Sequence, residues 1–235
     1  MSEIADNLSA VTGKIAGACA RVGRNVNTVA LVAVSKTFPA VSVRDAFEAG
    51  QLVFGESKIQ EAEPKIKALP SSVQWHFIGR VQRNKVRKLL QNFEVIHAID
   101  SLRLASFANE IARELGLYPQ IFLQVNLGDE LSKGGFERKL LHAEMESLLK
   151  LDRLEIIGLM SIPPVGPDAD SARPWFSMLR ETRDTMEMDF GVKFPALSMG
   201  MSGDFEVAIE EGSTHVRVGS AIFGKRSYRV DGELG

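Results

Sequence analysis

Short runs of β-branched and aliphatic residues alternate along the chain with longer stretches in which apolar side chains recur at helical spacing. Eight runs read as strands: residues 29–35, 51–55, 73–79, 94–99, 120–127, 154–160, 195–199 and 215–219. Several are apolar without a break, as in Val29-Ala30-Leu31-Val32-Ala33-Val34, which is how a parallel strand covered on both faces reads. Helix-period stripes lie between them. Leu104, Phe107, Ala108, Ile111 and Leu115 form one, closed by Gly116 as a C-terminal cap, and Val86, Leu89, Leu90 and Phe93 form a second. Val43, Ala46 and Phe47 run to Gly50, and Phe205, Ala208 and Ile209 run to Gly212. Ile4, Leu8, Val11, Ile15 and Ala18 predict an extra helix within residues 1–23.

Eight strands alternating with helices, with no Gly-, Pro- or Ser-rich linker, predict an α/β protein: a single (β/α)8 TIM barrel over residues 1–235, with 225–235 as a tail. An open doubly wound sheet is the competing arrangement. It usually has fewer strands, and its glycine fingerprint after the first strand is missing.

Composition narrows the function classes. A 45% hydrophobic content is enough for a sizeable core, and 28 Lys+Arg against 30 Asp+Glu leaves no basic field to attract nucleic acid. No run of about 18 apolar residues offers a bilayer-spanning helix. The start of the chain lacks the apolar core of a secretory signal. A lone cysteine, Cys19, excludes an internal disulfide and a cysteine metal cluster, and reads as an inert helix residue. No spacing gathers His76, His97, His142 and His215 into a metal site. The expectation is a cytoplasmic protein without nucleic-acid, membrane or metal partners.

In a barrel of this type chemistry sits at the carboxyl ends of the strands. Strand one runs from six apolar residues directly into Ser35-Lys36-Thr37. An ammonium there is paired, lowered in pKa or used covalently, unless its head simply reaches solvent above the rim. Strand seven leads into Ser198-Met199-Gly200-Met201-Ser202-Gly203-Asp204, and strand eight into Arg217-Val218-Gly219-Ser220. Both are small, hydroxyl-bearing turns where barrels commonly hold phosphate. Read more plainly, they are tight turns whose Ser202 or Asp204 caps a helix. A phosphate cradle opposite a buried lysine suggests a phosphorylated aldehyde held as a Schiff base, with pyridoxal 5'-phosphate as the leading candidate. Arg217 can only donate hydrogen bonds, so facing a pyridine nitrogen it would leave that nitrogen unprotonated and the ring a poor electron sink. An ion pair at the strand end is the other reading of Arg217. A sugar-phosphate isomerase or aldolase using Lys36 is a third class, and it would not need Arg217 at a ring nitrogen.

The fragments Ala33-Val34-Ser35-Lys36-Thr37, Phe54-Gly55-Glu56, His76-Phe77-Ile78-Gly79 with Gln82 and Asn84-Lys85, Gly158-Leu159-Met160, Leu197-Ser198-Met199-Gly200-Met201-Ser202 and Arg217-Val218-Gly219-Ser220-Ala221-Ile222-Phe223-Gly224 together resemble the pyridoxal phosphate homeostasis proteins, the YggS/PROSC-like family. The resemblance runs from about Leu31 to Phe223. It implies a barrel related to the N-terminal domain of alanine racemase and an imine between pyridoxal 5'-phosphate and Lys36. It places phosphate contacts on Ser198, Ser202, Gly219 and Ser220 and the ring-nitrogen partner on Arg217. It further implies a role in intracellular vitamin B6 homeostasis, buffering or delivering the cofactor to recipient enzymes. Ser57 stands where the family commonly has asparagine near the ring, a shorter hydroxyl whose contact is lost or bridged by water. Ser220 stands where threonine is common. His76, Met160 and Met199 are added as residues lining the mouth or packing on the ring.

The alternative is an amino-acid racemase of the alanine racemase type. That reaction needs a second base on the opposite face of the substrate carbon. Of the two tyrosines, Tyr118 precedes strand five at the far end of the barrel and Tyr228 lies in the tail, so a carrier acting as a monomer without catalytic residues is expected. Two further expectations concern the rim. The basic run Arg80, Arg83, Lys85, Arg87 and Lys88 reads as a solvated helix face or an anion-binding rim. The loop 128–135 reads as a mobile cover in which Lys133 is a secondary cofactor acceptor.

Overall fold

Each of the eight apolar runs forms a strand, because only a sheet covered on both faces satisfies the backbone of such segments while burying every side chain. The computed structural model describes residues 2–128 and 134–224. In chain order the strands are β1 (Ala30–Val34), β2 (Val53–Glu56), β3 (Gln74–Phe77), β4 (Val95–Ile99), β5 (Gln120–Asn126), β6 (Phe136–Glu137), β7 (Glu155–Met160), β8 (Ala196–Met201) and β9 (His215–Val218). All but β6 run in parallel around a closed ring, in which β1 pairs with both β2 and β9 and β4 pairs with β5. Two-residue β6 attaches to β5 alone, an addition the hydrophobic pattern did not signal. Closure removes the exposed edges of an open sheet.

Helices follow the strands on the outside: α2 (Ala40–Glu48), α3 (Ile59–Ala68), α4 (Val86–Asn92), α5 (Leu102–Leu115), α6 (Arg138–Leu149), α7 (Arg173–Phe190), α8 (Phe205–Glu210) and α9 (Ser220–Phe223). The stripe read for α5 is the face it buries, with Leu104, Ala108 and Ile111 against the barrel. Ser101 Oγ accepts the Leu104 amide at its start, and Gly116 closes it at φ 68°. α3 is harder to read, because its inward face carries Ile59, Ala62 and Lys65 and its middle holds Pro64. A charged group occupies the place where periodicity looks for an apolar one.

The N-terminal stripe forms α1 (Glu3–Arg21), which buries Leu8, Val11, Ile15, Ala18 and Cys19 and packs against α2, α8 and α9. Asn7 Nδ2 donates to the Ile222 carbonyl at 3.1 Å, and Arg24 Nη1 to the Ile209 carbonyl at 2.7 Å. The extra helix thus braces the two short helices that follow the last two barrel strands. Among the described residues, no helix is long and apolar enough to cross a membrane.

Candidate ligand site at the carboxyl end of the barrel

Ser35 is fully buried, and its Oγ donates to Glu56 Oε1 at 2.7 Å on the outer side of the barrel wall. Lys36 follows in the turn that leaves β1 at its carboxyl end and is half-buried there. The backbone flanking it is held from α3. Lys65 Nζ donates to the Ser35 carbonyl at 2.8 Å and to Glu56 Oε1 at 2.6 Å, and the Thr37 amide donates to Glu61 Oε2 at 3.1 Å. Thr37 sits at φ 72°, a left-handed conformation costly for a β-branched residue. Burial pushes the Glu56 carboxyl up from its ordinary value despite the Lys65 and Ser35 contacts. Glu56 and Lys65 were not among the residues singled out from sequence. Glu56 was visible only as part of a fragment, and Lys65 carried no signal.

The turns after β8 and β9 come together. The Gly219 amide donates to Ser202 Oγ at 3.1 Å, while Asp204 Oδ1 accepts the Met201 amide at 2.6 Å and tightens the first turn. Gly200 takes φ 92°, and a Cβ there would lie 2.5 Å from Ala208 Cβ and 2.9 Å from Phe205 Cα, so only glycine lets β8 enter the turn. Ser202 and Gly219 are half-buried and Ser220 is exposed, so two hydroxyls stand at the rim, with the Gly219 amide given to Ser202. Asp204 caps α8 by position, without a side-chain bond to that helix.

Below these turns lies Arg217, fully enclosed. Its Nη1 donates to Ser198 Oγ at 2.5 Å and its Nη2 to the Ser161 carbonyl at 3.0 Å. Burial lowers its pKa to about 10, with Asp204 opposing, so the guanidinium is still charged at neutral pH. Ser161 Oγ beside it is buried with no hydrogen-bond partner among the described residues, a polar atom that a ligand at the mouth would satisfy. Register pairs Met160 with both Ser198 and Gln124, which puts it on the inner face just under Ser161. Ser57 is half-buried at the end of β2, and its carbonyl would lie 2.3 Å from a Cβ on Gly79, so the loops after β2 and β3 touch at that glycine.

Three residues expected at the ligand lie elsewhere. Ser198 is completely buried, and its hydroxyl is occupied below the mouth by Arg217 and, at 2.7 Å, by His97 Nδ1. It supports the arginine rather than reaching a phosphate. Met199 follows Ser198 and the pleat turns it outward into the core between barrel and helices. His76 lies within the barrel, with Nδ1 2.9 Å from His97 Nε2, and lines a cavity at the amino end with His215, Gln74 and Gln120. Ser198 pairs with His215 at the start of β9 and His76 with Gly55 of β2, while the register shift in β8 falls after Ser198. Tyr118 borders the same far-end cavity. Residues 129–133, Lys133 included, and the tail 225–235 with Tyr228 lie outside the described residues.

The basic run divides. Arg87 pairs with Glu114, Lys88 Nζ pairs with Glu63 at 2.9 Å, and the Arg83 guanidinium stacks 4.4 Å over the Phe107 ring. Arg80 and Lys85 instead line a cleft of about 250 Å³ that includes Ser57. In chemical terms the carboxyl end assembles an amine, a set of anion donors and a buried cation in one mouth. A planar aromatic aldehyde with a phosphoryl arm fits that set.

The alanine racemase N-terminal domain family matches residues 7–227. A pyridoxal phosphate homeostasis protein of Aquifex aeolicus is 42% identical over 224 residues, covering 95% of this chain and 98% of its own, and one of Pseudomonas aeruginosa is 41% identical over 232 residues, covering 97% and 98%. Among solved structures, PipY of Synechococcus elongatus with PLP bound superposes with a TM-score of 0.83 at 37% identity, covering 94% of this chain and all of its own. Alanine racemase of Clostridium difficile shares the fold at a TM-score of 0.72 and 17% identity, with this chain matching 61% of it. The chain therefore belongs to the alanine racemase N-terminal domain family and, within it, to the pyridoxal phosphate homeostasis proteins.

Proposed function

We propose that this protein binds pyridoxal 5'-phosphate through Lys36 and serves intracellular homeostasis of that cofactor, holding and releasing it rather than turning over a substrate. The observation that carries the reading is the gathering of three elements at the carboxyl end of the barrel: Lys36 in the turn after β1, the hydrogen-bonded turns of Ser202 and Gly219, and the Arg217 guanidinium beneath them. Bound there, the cofactor would supply an aldehyde, and the Lys36 amine is the group that would hold it by reversible condensation with release of one water.

Each side chain has a task in this reading. Ser202, Ser220 and the backbone at Gly219 surround the phosphoryl group, the two hydroxyls donating to it while the Gly219 amide holds Ser202 in place. Arg217 donates to the pyridine nitrogen and, being protonated throughout the neutral range, keeps that nitrogen from taking a proton. Met160 packs beneath the ring, and Ser57 faces the ring edge from β2. The tethers on Ser35 and Thr37 fix the direction of Lys36.

A carrier is favoured over a racemase by the placement of Tyr118. It is 60% exposed at the amino end of the barrel, so it cannot offer a proton to the face opposite Lys36. The cofactor would pass from this open mouth to recipient enzymes, the protein itself acting as a monomer in the cytoplasm.

Borohydride reduction of the purified protein, followed by peptide mass mapping, tests ligand, bond and residue together. A reduced pyridoxyl adduct on the peptide bearing Lys36 is expected, with loss of the visible absorption band in Lys36→Ala. A protein that stays colourless after cofactor addition overturns the reading. Incubation of the loaded protein with L-alanine in deuterated water should yield no D-product; deuterated D-alanine would make it a racemase.

A further inference from the structure

Beneath the mouth a line of polar side chains crosses the apolar interior of the barrel. Arg217 Nη1 is 2.5 Å from Ser198 Oγ, Ser198 Oγ is 2.7 Å from His97 Nδ1, and His97 Nε2 is 2.9 Å from His76 Nδ1. His97 stacks on Phe122 with ring centroids 4.5 Å apart, and His97 and Ser198 are wholly buried. The line ends at His76, whose ring borders a cavity of about 670 Å³ at the opposite end of the barrel, lined also by His215, Gln74, Glu94 and Gln120.

The direction of every hydrogen bond in the line follows from its first member. A guanidinium can only donate, so Ser198 Oγ accepts from Arg217. The serine proton then needs an acceptor, and among the described residues the one polar neighbour of Oγ besides Arg217 is His97 Nδ1. Were that nitrogen protonated, both neighbours would donate to Oγ and the hydroxyl proton would be buried without a partner. His97 Nδ1 must therefore accept, its Nε2 carries the proton, and that proton is given to His76 Nδ1. His76 is in turn protonated on Nε2, the donor end left to the cavity. Burial keeps His97 well below the ordinary imidazole range and holds His76 at about 3, each reinforced by a neighbouring histidine, so both rings are neutral as the argument requires.

We infer that His97 and His76 are positioning residues for Arg217, acting through Ser198, and that the line Arg217–Ser198–His97–His76 is a one-way chain of donors that fixes where the guanidinium points. The inference rests on the reading that Arg217 meets the pyridine nitrogen. Its function there is steric as well as electronic: a guanidinium with a rotating serine beneath it could swing toward other acceptors, whereas one seated on a serine whose lone pairs are already oriented cannot.

Two measurements on the full chain test it. Imidazole ¹⁵N chemical shifts at neutral pH should report the Nε2–H tautomer for both His97 and His76. An Nδ1–H tautomer or an imidazolium at either position overturns the chain, and this measurement needs no variant. The second is a cycle of cofactor affinities. His97→Phe and Ser198→Ala should each weaken pyridoxal 5'-phosphate binding roughly tenfold, and the double substitution should be no weaker than the poorer single, because both break the same line. His97→Asn, whose Oδ1 replaces the accepting nitrogen, should stay within about threefold of the parent. Losses that multiply in the double variant, or an asparagine no better than phenylalanine, overturn the positioning role. If Arg217→Met leaves affinity and absorption unchanged, the ring-nitrogen reading fails instead, and the chain then stands or falls on the ¹⁵N shifts.

Discussion

Lys65 Nζ lies 2.6 Å from Glu56 Oε1, and the two side chains, 5% and 0% exposed, form an ion pair sealed between the barrel wall and α3. Because the same ammonium also holds the Ser35 carbonyl, the pair ties helix packing to the backbone that presents Lys36. Removing one partner strands the other. Lys65→Met should leave a carboxylate buried without a cation and lower stability by about 3–5 kcal/mol in urea unfolding. Glu56→Gln combined with Lys65→Met, which removes both charges, should recover most of that loss. A double variant as unstable as the single would mean that Lys65 acts through packing instead of charge.

Most of the barrel was legible for a physical reason. A strand buried on both faces leaves an unbroken apolar run such as Val29 to Val34, and nothing in a helix or loop imitates it at that length. The rim positions were legible where a polar residue follows such a run, as Lys36 does, or where glycine and serine gather after one, as around Ser202 and Gly219. Height along the barrel axis and side-chain face were not. Both depend on stagger, so Ser198 and His76, inward as expected of their strands, lie lower than the mouth, and Met199 faces the wrong way altogether. α3 was illegible because its inward position is a lysine, and the partner that makes this tolerable, Glu56, comes from a different strand.

Acid should unfold this protein earlier than its carboxylates alone would. Burial holds His215 at about 4 and His76 at about 3, against an ordinary value of 6.5, and keeps His97 lower still than its ordinary range. The unfolded chain binds these protons once pH drops below 6.5, and the folded chain does not. Stability is thus complete above that value and falls as pH descends from 6.5 toward 4, by up to about 1.4 kcal/mol per pH unit for each histidine. Urea midpoints measured between pH 7 and pH 5 should show this decline. A midpoint flat over that interval would mean that the imidazoles titrate freely in the folded protein.

The turn after β8 is set by backbone, and a single methyl group tests it. At φ 92° with Ala208 Cβ 2.5 Å from the site of a new Cβ, Gly200→Ala combines conformational strain with a clash that the neighbouring helix must yield to. A loss of about 2–4 kcal/mol in chemical unfolding is expected. Gly203→Ala is the control, because a Cβ there meets nothing within 4 Å, and it should unfold with the parent. Equal behaviour of the two variants would show that the turn rearranges at little cost.

In the proposed site, Ser202 is the residue that distinguishes the phosphoryl arm of the ligand from its ring. Its hydroxyl accepts the Gly219 amide and so joins the two rim turns, while its own proton remains available to an anion. Ser202→Ala removes a donor to the phosphoryl group and loosens the two turns that it joins. Pyridoxal 5'-phosphate should therefore bind about ten- to a hundredfold more weakly, the scale of one charge-assisted hydrogen bond. Pyridoxal, which lacks the phosphate, should bind the variant and the parent alike, because the Lys36 amine and Arg217 are unchanged. Equilibrium dialysis with both aldehydes makes the comparison. A variant that loses affinity equally for the two would place the effect on the ring or the amine, and the anion would have to be held by other groups at the rim.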